Sequence, residues 1–173
     1  MKMDLLDFKI QLGYRPGLLG AMIAMNADHY VRIRGFNPKL EANIASELGF
    51  VWQRYSADFD ALIYAEQNGP IVGGAVLDGV QREGSLPLKE QHVKLKWFIV
   101  GNNARGCGLG SALLDCAIRK ARDMGYGKLV LSTDKGAEAA FHLYKKAGFV
   151  EVGQIEDAFY EMRVKRYYLE LDL

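Results

Sequence analysis

The stretch Val100-Gly101-Asn102-Asn103-Ala104-Arg105-Gly106-Cys107-Gly108-Leu109-Gly110-Ser111-Ala112-Leu113-Leu114 decides how this chain is read. It predicts the end of an apolar strand, a loop with glycines at 106, 108 and 110, and the start of an amphipathic helix. Such a unit leaves backbone N–H groups unpaired at the positive end of a helix dipole, which suits a phosphate or pyrophosphate. The glycines let the backbone approach an anion closely because no Cβ intervenes. Arg105 stands where its guanidinium can add a charged contact.

Spacing separates the kinds of glycine loop. Gly101 and Gly106 have the separation of a Walker loop, but Cys107 occupies the place of the required lysine. In a dinucleotide fingerprint begun at Gly106 the third glycine falls on Ser111. Asp134 also lies somewhat beyond the roughly 20-residue distance expected of the ribose-binding acid. The pattern Q/R-x-x-G-x-G/A is met in full by Arg105-Gly106-Cys107-Gly108-Leu109-Gly110. With Leu113-Leu114 behind it, this segment resembles the acyl-CoA loop of the GNAT N-acetyltransferase superfamily.

Other segments extend the resemblance over nearly the whole chain. Leu143-Tyr144-Lys145-Lys146-Ala147-Gly148-Phe149 matches the family's closing signature, a tyrosine four residues before Gly-Phe. Tyr14-Arg15-Pro16-Gly17, followed by Tyr30, Gly35 and Phe36, resembles the acetyltransferase domains that some bacteria fuse to MarR-type regulators; no winged-helix segment is present. One position departs from the pattern: many members carry an asparagine seven residues before the tyrosine, where this chain has Ala137. The resemblance implies the GNAT fold, a mixed α/β (α+β) architecture with a central sheet of about seven strands flanked by about four helices. It is read as one domain over residues 1–173.

Composition is that of an ordinary soluble enzyme. The 173 residues suffice for one domain with a real core, and a formal net charge of +1 argues against a general polyanion binder. No nucleic-acid partner is expected. Cys107 and Cys116 offer neither metal spacing nor a disulfide framework, so a reducing cytoplasm is the expectation. Met1 to Asp7 contains Asp4 and Asp7 and no long apolar run, so neither a leader nor a membrane association is expected.

Periodicity orders the elements. Phe8–Leu12 alternates as a half-buried strand. A helix is expected from Pro16 to about Arg34, where Gly35 stops it, and a second from Pro38 to about Tyr55. Ala61–Glu66 and Ile71–Leu77 read as strands joined through the turn residues Asn68-Gly69-Pro70. Gln81–Gln91 reads as a long loop. His92–Val100 is the strand that feeds the glycine loop, with Val93, Leu95, Trp97 and Ile99 alternating on one face. From Trp97 to Val100 both faces are apolar, as where a strand enters a layer covered on both sides. Lys128–Thr133 is a strand, Ala137–Lys146 a helix, and strands near Val150–Gln154 and Met162–Leu171 close the chain.

Within the resemblance, Phe98, Ile99 and Val100 pair their backbone with the pantetheine arm of acetyl-CoA, which enters as co-substrate. Arg105, Gly106, Cys107, Gly108, Leu109, Gly110 and Ser111 hold its pyrophosphate. Tyr144 lies beside the cofactor sulfur and protonates the departing thiolate, a reasonable task for a phenol that is neutral at pH 7. The acceptor is a small-molecule or peptide amine, attacked directly in a ternary complex. A homodimer is left open. His29, His92 and His142 are scattered and show no zinc spacing, so no metal is expected. Cys107 has no local His or Asp partner and reads as a loop residue. Asp28, His29, Glu66, Asp78 and Glu83 are the candidates to accept the amine proton. Two other classes share the loop physics: a non-catalytic acyl-CoA sensor, which Ala137 favours, and a nucleotide-binding oxidoreductase.

Overall fold

The computed structural model describes residues 8–79, 90–159 and 162–173. One sheet runs through the molecule, with β1 (Lys9–Leu12), β2 (Ala61–Glu66), β3 (Ile71–Asp78), β4 (His92–Val100), β5 (Lys128–Asp134), β6 (Val150–Phe159) and β7 (Met162–Asp172). Their spatial order is β1-β2-β3-β4-β5-β7-β6. Every neighbouring pair is antiparallel except β4 and β5, which are parallel and joined through a helical crossover.

Four α-helices, α1 (Leu18–Ala27), α2 (Lys39–Gln53), α3 (Leu109–Asp123) and α4 (Glu138–Lys146), cover the two faces. On β2 the side chains alternate between two cores. Ala61, Ile63 and Ala65 join Leu109, Leu113, Leu114 and Ala117 of α3, whereas Leu62 and Tyr64 join Leu18 and Met22 of α1 and Ile44 and Leu48 of α2. Burial on both faces explains the continuous apolar runs in β2 and β3. Gly73 and Gly74 allow the close approach from each side. A Cβ at Gly73 would stand 2.9 Å from Leu113 Cδ1, and one at Gly74 3.2 Å from Met22 Sδ.

The hairpin between β2 and β3 turns at Asn68 and Gly69, both at positive φ, as the turn residues predict. Helix boundaries differ more. α1 starts at Leu18, because Gly17 at φ 88° breaks the helix that Pro16 was expected to open. Its α-helical part ends at Ala27, and Asp28–Ile33 continues as a π-helix, in which the Arg34 N–H reaches the His29 carbonyl five residues back. α2 ends at Gln53, short of Tyr55. α4 starts at Glu138, with Ala137 just outside it. β6 extends to Phe159 instead of Gln154, because its ladder with β7 holds it without an alternating buried face. Leu12, expected on a half-buried strand, is exposed on the edge strand β1. The expected loop over Gln81–Gln91, with candidate Glu83, lies outside the described residues except for positions 90 and 91, as do Met1 to Asp7. Among the described residues, no helix is long and apolar enough to cross a membrane.

Candidate functional site

β4 and β5 pair only at their beginnings, His92–Lys94 against Lys128–Val130. Beyond that point the strands part, and Leu95–Val100 and Leu131–Asp134 line opposite walls of a cleft of about 620 Å3. A bulge shapes the β4 wall. Gly74 lies opposite Ile99 but Val76 opposite Lys96, so Trp97 and Phe98 together oppose Ala75. Trp97 sits at φ 51°, a conformation that costs a bulky residue about 1–3 kcal/mol and is typically kept where function needs it. The bulge also overturns the uniform alternation expected of Val93, Leu95, Trp97 and Ile99. Trp97 packs against the core that includes α1 and α2, whereas Val93, Leu95, Phe98, Ile99 and Val100 belong with the core that includes α3.

The glycine loop ends at one end of this cleft. Gly106 at φ 79° and Gly108 at φ 88° hold left-handed backbone that only glycine adopts without strain. Gly108 caps α3, whose first turn has neither a capping side chain nor an acidic residue, so its positive end is uncompensated. The first helical bond runs from Ala112 N–H to the Gly108 carbonyl at 3.1 Å, leaving the amides of Leu109, Gly110 and Ser111 ahead of it. A Cβ at Gly110 would make only ordinary contacts, 3.5 Å from Leu143 Cδ2, so packing does not demand a glycine there. Cys107 donates its thiol to the Ala104 carbonyl at 3.1 Å, and Leu109 is fully buried.

Arg105 is turned away from the anion position that its place in the loop suggests. Its Nε donates to the Val100 carbonyl at 3.1 Å and its Nη2 to His29 Nδ1 at 3.2 Å. Asn102 Nδ2 reaches Asp28 Oδ2 at 2.6 Å. The loop is thereby latched to the π-helical segment, a long-range link that local sequence does not reveal.

Phe98, Ile99, Val100, Arg105, Gly106, Gly110 and Tyr144 all line the cleft, together with Ala137 and Ala140. Cys107, Gly108, Leu109 and Ser111 form the loop and first turn behind its lining. Tyr144 is 5% exposed, its ring 5.9 Å from that of Phe98 and 5.7 Å from that of Phe149. Phe141, three residues earlier on α4, meets the Tyr167 ring at 5.1 Å. Burial, with a smaller contribution from Tyr30, pushes the Tyr144 phenol well above its ordinary range, so it is held neutral.

Tyr30 was noted in the sequence only for family likeness, yet it lines the same cleft. Burial, then the nearby Asp134 carboxylate, pushes its phenol up to about 12. The rest of that end of the cleft comes from elements that no local sequence signal links: Asn26 of α1, Phe36, Leu40 and Glu47 around α2, and Trp97 of β4. Arg34 pairs with Asp134 at 2.5 Å and lies over the rings of Tyr30 and Phe36. It also explains Gly136, at φ 104°, where a Cβ would come within 2.6 Å of Arg34 Nη2.

Of the candidate proton acceptors among the described residues, only His29 lines the cleft. Asp28 pairs with Arg32, Glu66 with Arg15, and Asp78 is buried against Arg54 and Lys96. His142 borders a separate depression beside α4. Among the described residues, no group of three or more His, Cys, Asp or Glu side chains is arranged to hold a metal ion.

A seven-stranded mixed sheet, parted between β4 and β5 beside a glycine-capped helix, defines the GNAT acetyltransferase class of fold. A match to the Acetyltransferase (GNAT) family spans residues 29–149, and the chain belongs to that family. It is similar to human N-acetyltransferase 8B, 37% identical over 76 residues, covering 41% of this chain and 34% of that protein. Rat N-acetyltransferase 8B is 29% identical over 114 residues, covering 63% and 48%. The chain thus spans less than half the length of these relatives. Among solved structures, yncA of Salmonella typhimurium, a putative acetyltransferase with its cofactor acetyl-CoA, superimposes with a TM-score of 0.73 at 18% identity, covering 95% of this chain and 93% of that one. A ribosomal-protein-alanine N-acetyltransferase of Brucella melitensis gives 0.74 at 22% identity, covering 95% and 99%.

Proposed function

We propose that this chain transfers the acetyl group of acetyl-CoA directly to a primary amine within a ternary complex. The observation that carries this reading is the convergence of an uncompensated, glycine-capped helix N-terminus and a neutral buried phenol on one cleft, opened by the β4 bulge. In this reading the amides of the glycine loop and the first turn of α3 take the pyrophosphate. The parted end of β4, Phe98 to Val100, pairs with the pantetheine arm and offers a main-chain N–H to the developing oxyanion.

The amine lone pair attacks the thioester carbonyl carbon. A C–N bond forms, the C–S bond breaks, and its electron pair leaves on sulfur. Tyr144 donates its hydrogen bond, and then its proton, to that sulfur, while the acceptor nitrogen sheds a proton to water. At ordinary acidities a phenol near 10 and a thiol near 8.5 make this transfer uphill by about 1.5 units, roughly 2 kcal/mol. Burial weakens the phenol as an acid, but it also makes the thiolate more basic, so the two effects oppose each other.

A second reading, a CoA-binding sensor without turnover, is favoured by Ala137, which leaves α4 without a side-chain cap at a cleft-lining position. The finer likeness to MarR-fused domains and a cytoplasmic location remain part of this proposal. Thermal unfolding tests the shared ligand. Acetyl-CoA at 100 times its dissociation constant should add about 2.7 kcal/mol of stability, whereas NAD, NADP and ATP should do far less. Stabilisation by a dinucleotide and not by acetyl-CoA would replace both readings with the oxidoreductase.

A further inference from the structure

Arg105 determines what His29 can do. A guanidinium only donates hydrogen bonds, so its contact with His29 Nδ1 at 3.2 Å requires that nitrogen to be the acceptor. In the neutral ring the proton must then sit on Nε2. The ring is neutral because burial, then Arg105 and Arg34, hold its pKa below the usual imidazole range, against the weaker opposing pull of Asp134 and Asp28. His29 therefore has no free lone pair with which to take a proton. It is the cleft's imidazole among the described residues.

Of the cleft's described carboxylates, Asp134 and Glu47 face cations and Glu138 is exposed. Asp134 is paired with Arg34 at 2.5 Å. Glu47 accepts from Asn43 Nδ2 at 3.1 Å and faces Lys96 Nζ at 3.7 Å. Glu138 lies exposed in the first turn of α4, where the helix dipole favours its negative charge. Tyr30 and Tyr144 are phenols held protonated. The burial and the two cations that keep His29 neutral act equally on a substrate ammonium at the same place, so the cleft favours an amine that has lost its proton already.

We infer, resting on the acetyltransferase reading, that the acceptor is a weakly basic amine, the α-amino group of an amino acid derivative or a peptide N-terminus, and that His29 serves the site as a hydrogen-bond donor and not as its base. An alkylamine with pKa near 10.4 is neutral at pH 7 about 250-fold less often than an α-amine near 8. Where no described residue of the cleft supplies the difference as a base, this ratio passes into kcat/KM. The bonds exchanged are those of the proposed reaction, with the ammonium proton, still present on most α-amines at pH 7, passing to water before attack.

Two panels test this, read by thiol release and by mass spectrometry of the acetylated product. One contains α-amines: amino acid amides, Nε-blocked lysine amide and short peptides. The other contains alkylamines: Nα-blocked lysine amide, diamines and polyamines. The expected result is an α-amine preference of about 100-fold or more in kcat/KM at pH 7, narrowing as pH approaches 9. Equal rates or an alkylamine preference would overturn this inference alone. Turnover of neither panel with acetyl-CoA bound would overturn it together with the transferase reading. Nitrogen-15 NMR of the imidazoles gives an independent check. The resonances lost in His29→Gln should show protonated Nε2 and bare Nδ1 at pH 7, and a protonated Nδ1 would overturn the donor assignment.

Discussion

Tyr144→Phe lowers turnover with the acceptor about 100-fold or more and leaves the acceptor's KM and the affinity for acetyl-CoA nearly unchanged. The substitution removes one hydroxyl from a ring wedged between Phe98 and Phe149, so the packing that buries it persists. In the proposed reaction the phenol acts only as the C–S bond breaks, when negative charge reaches sulfur. An interaction made in the transition state and absent before it shows in kcat and not in KM. General-acid assistance is worth about 100- to 10,000-fold, which sets the expected loss. The residual rate comes from proximity and the main-chain donors, which the variant keeps. Steady-state kinetics on the purified variant provides the check. Wild-type turnover would leave Tyr144 as a core residue alone.

Gly108→Val abolishes acetyl-CoA binding at concentrations that saturate the native protein. Gly108 caps α3 at φ 88°, where a β-branched residue is strained by about 1–3 kcal/mol and the loop rearranges to relieve it. Rearrangement withdraws the amides to which the proposed site assigns the pyrophosphate, and each hydrogen bond to a charged group is worth about 1.5–3 kcal/mol. Two such bonds correspond to a loss of at least about 100-fold in affinity. The fold survives, because the position lies in a loop outside both apolar cores. Calorimetric titration with CoA measures the first effect and thermal unfolding the second. Unchanged CoA affinity would move the anion site away from this loop.

The parts of this protein that were legible in sequence are those governed by local rules. The glycine loop and the helix behind it follow from Gly106, Gly108 and Gly110 and from the apolar spacing of Leu109, Leu113, Leu114 and Ala117. The β2–β3 hairpin follows from Asn68 and Gly69. Features imposed by distant packing were not legible. Alternation put Trp97 with Val93 and Leu95, and nothing local announces the bulge that turns it to the opposite core. The π-helical turn at Asp28–Ile33 contains no proline or glycine to mark it, yet it sets His29 and Tyr30 on the cleft. Arg105 reads locally as an anion ligand, and only the fold brings His29 near enough to engage it. The cleft gathers residues from α1, α2, β4, β5 and β7, each of which reads separately as ordinary core or surface.

Direct transfer between two substrates bound together is the central claim, and initial velocities measured while acetyl-CoA and a free amine acceptor are both varied test it most directly. The account predicts double-reciprocal lines that intersect, with turnover retained in Cys107→Ser, because the Cys107 thiol is engaged with the Ala104 carbonyl and takes no part in the chemistry. Parallel lines, with an acetyl group found on Cys107 when acetyl-CoA is supplied alone, would contradict it.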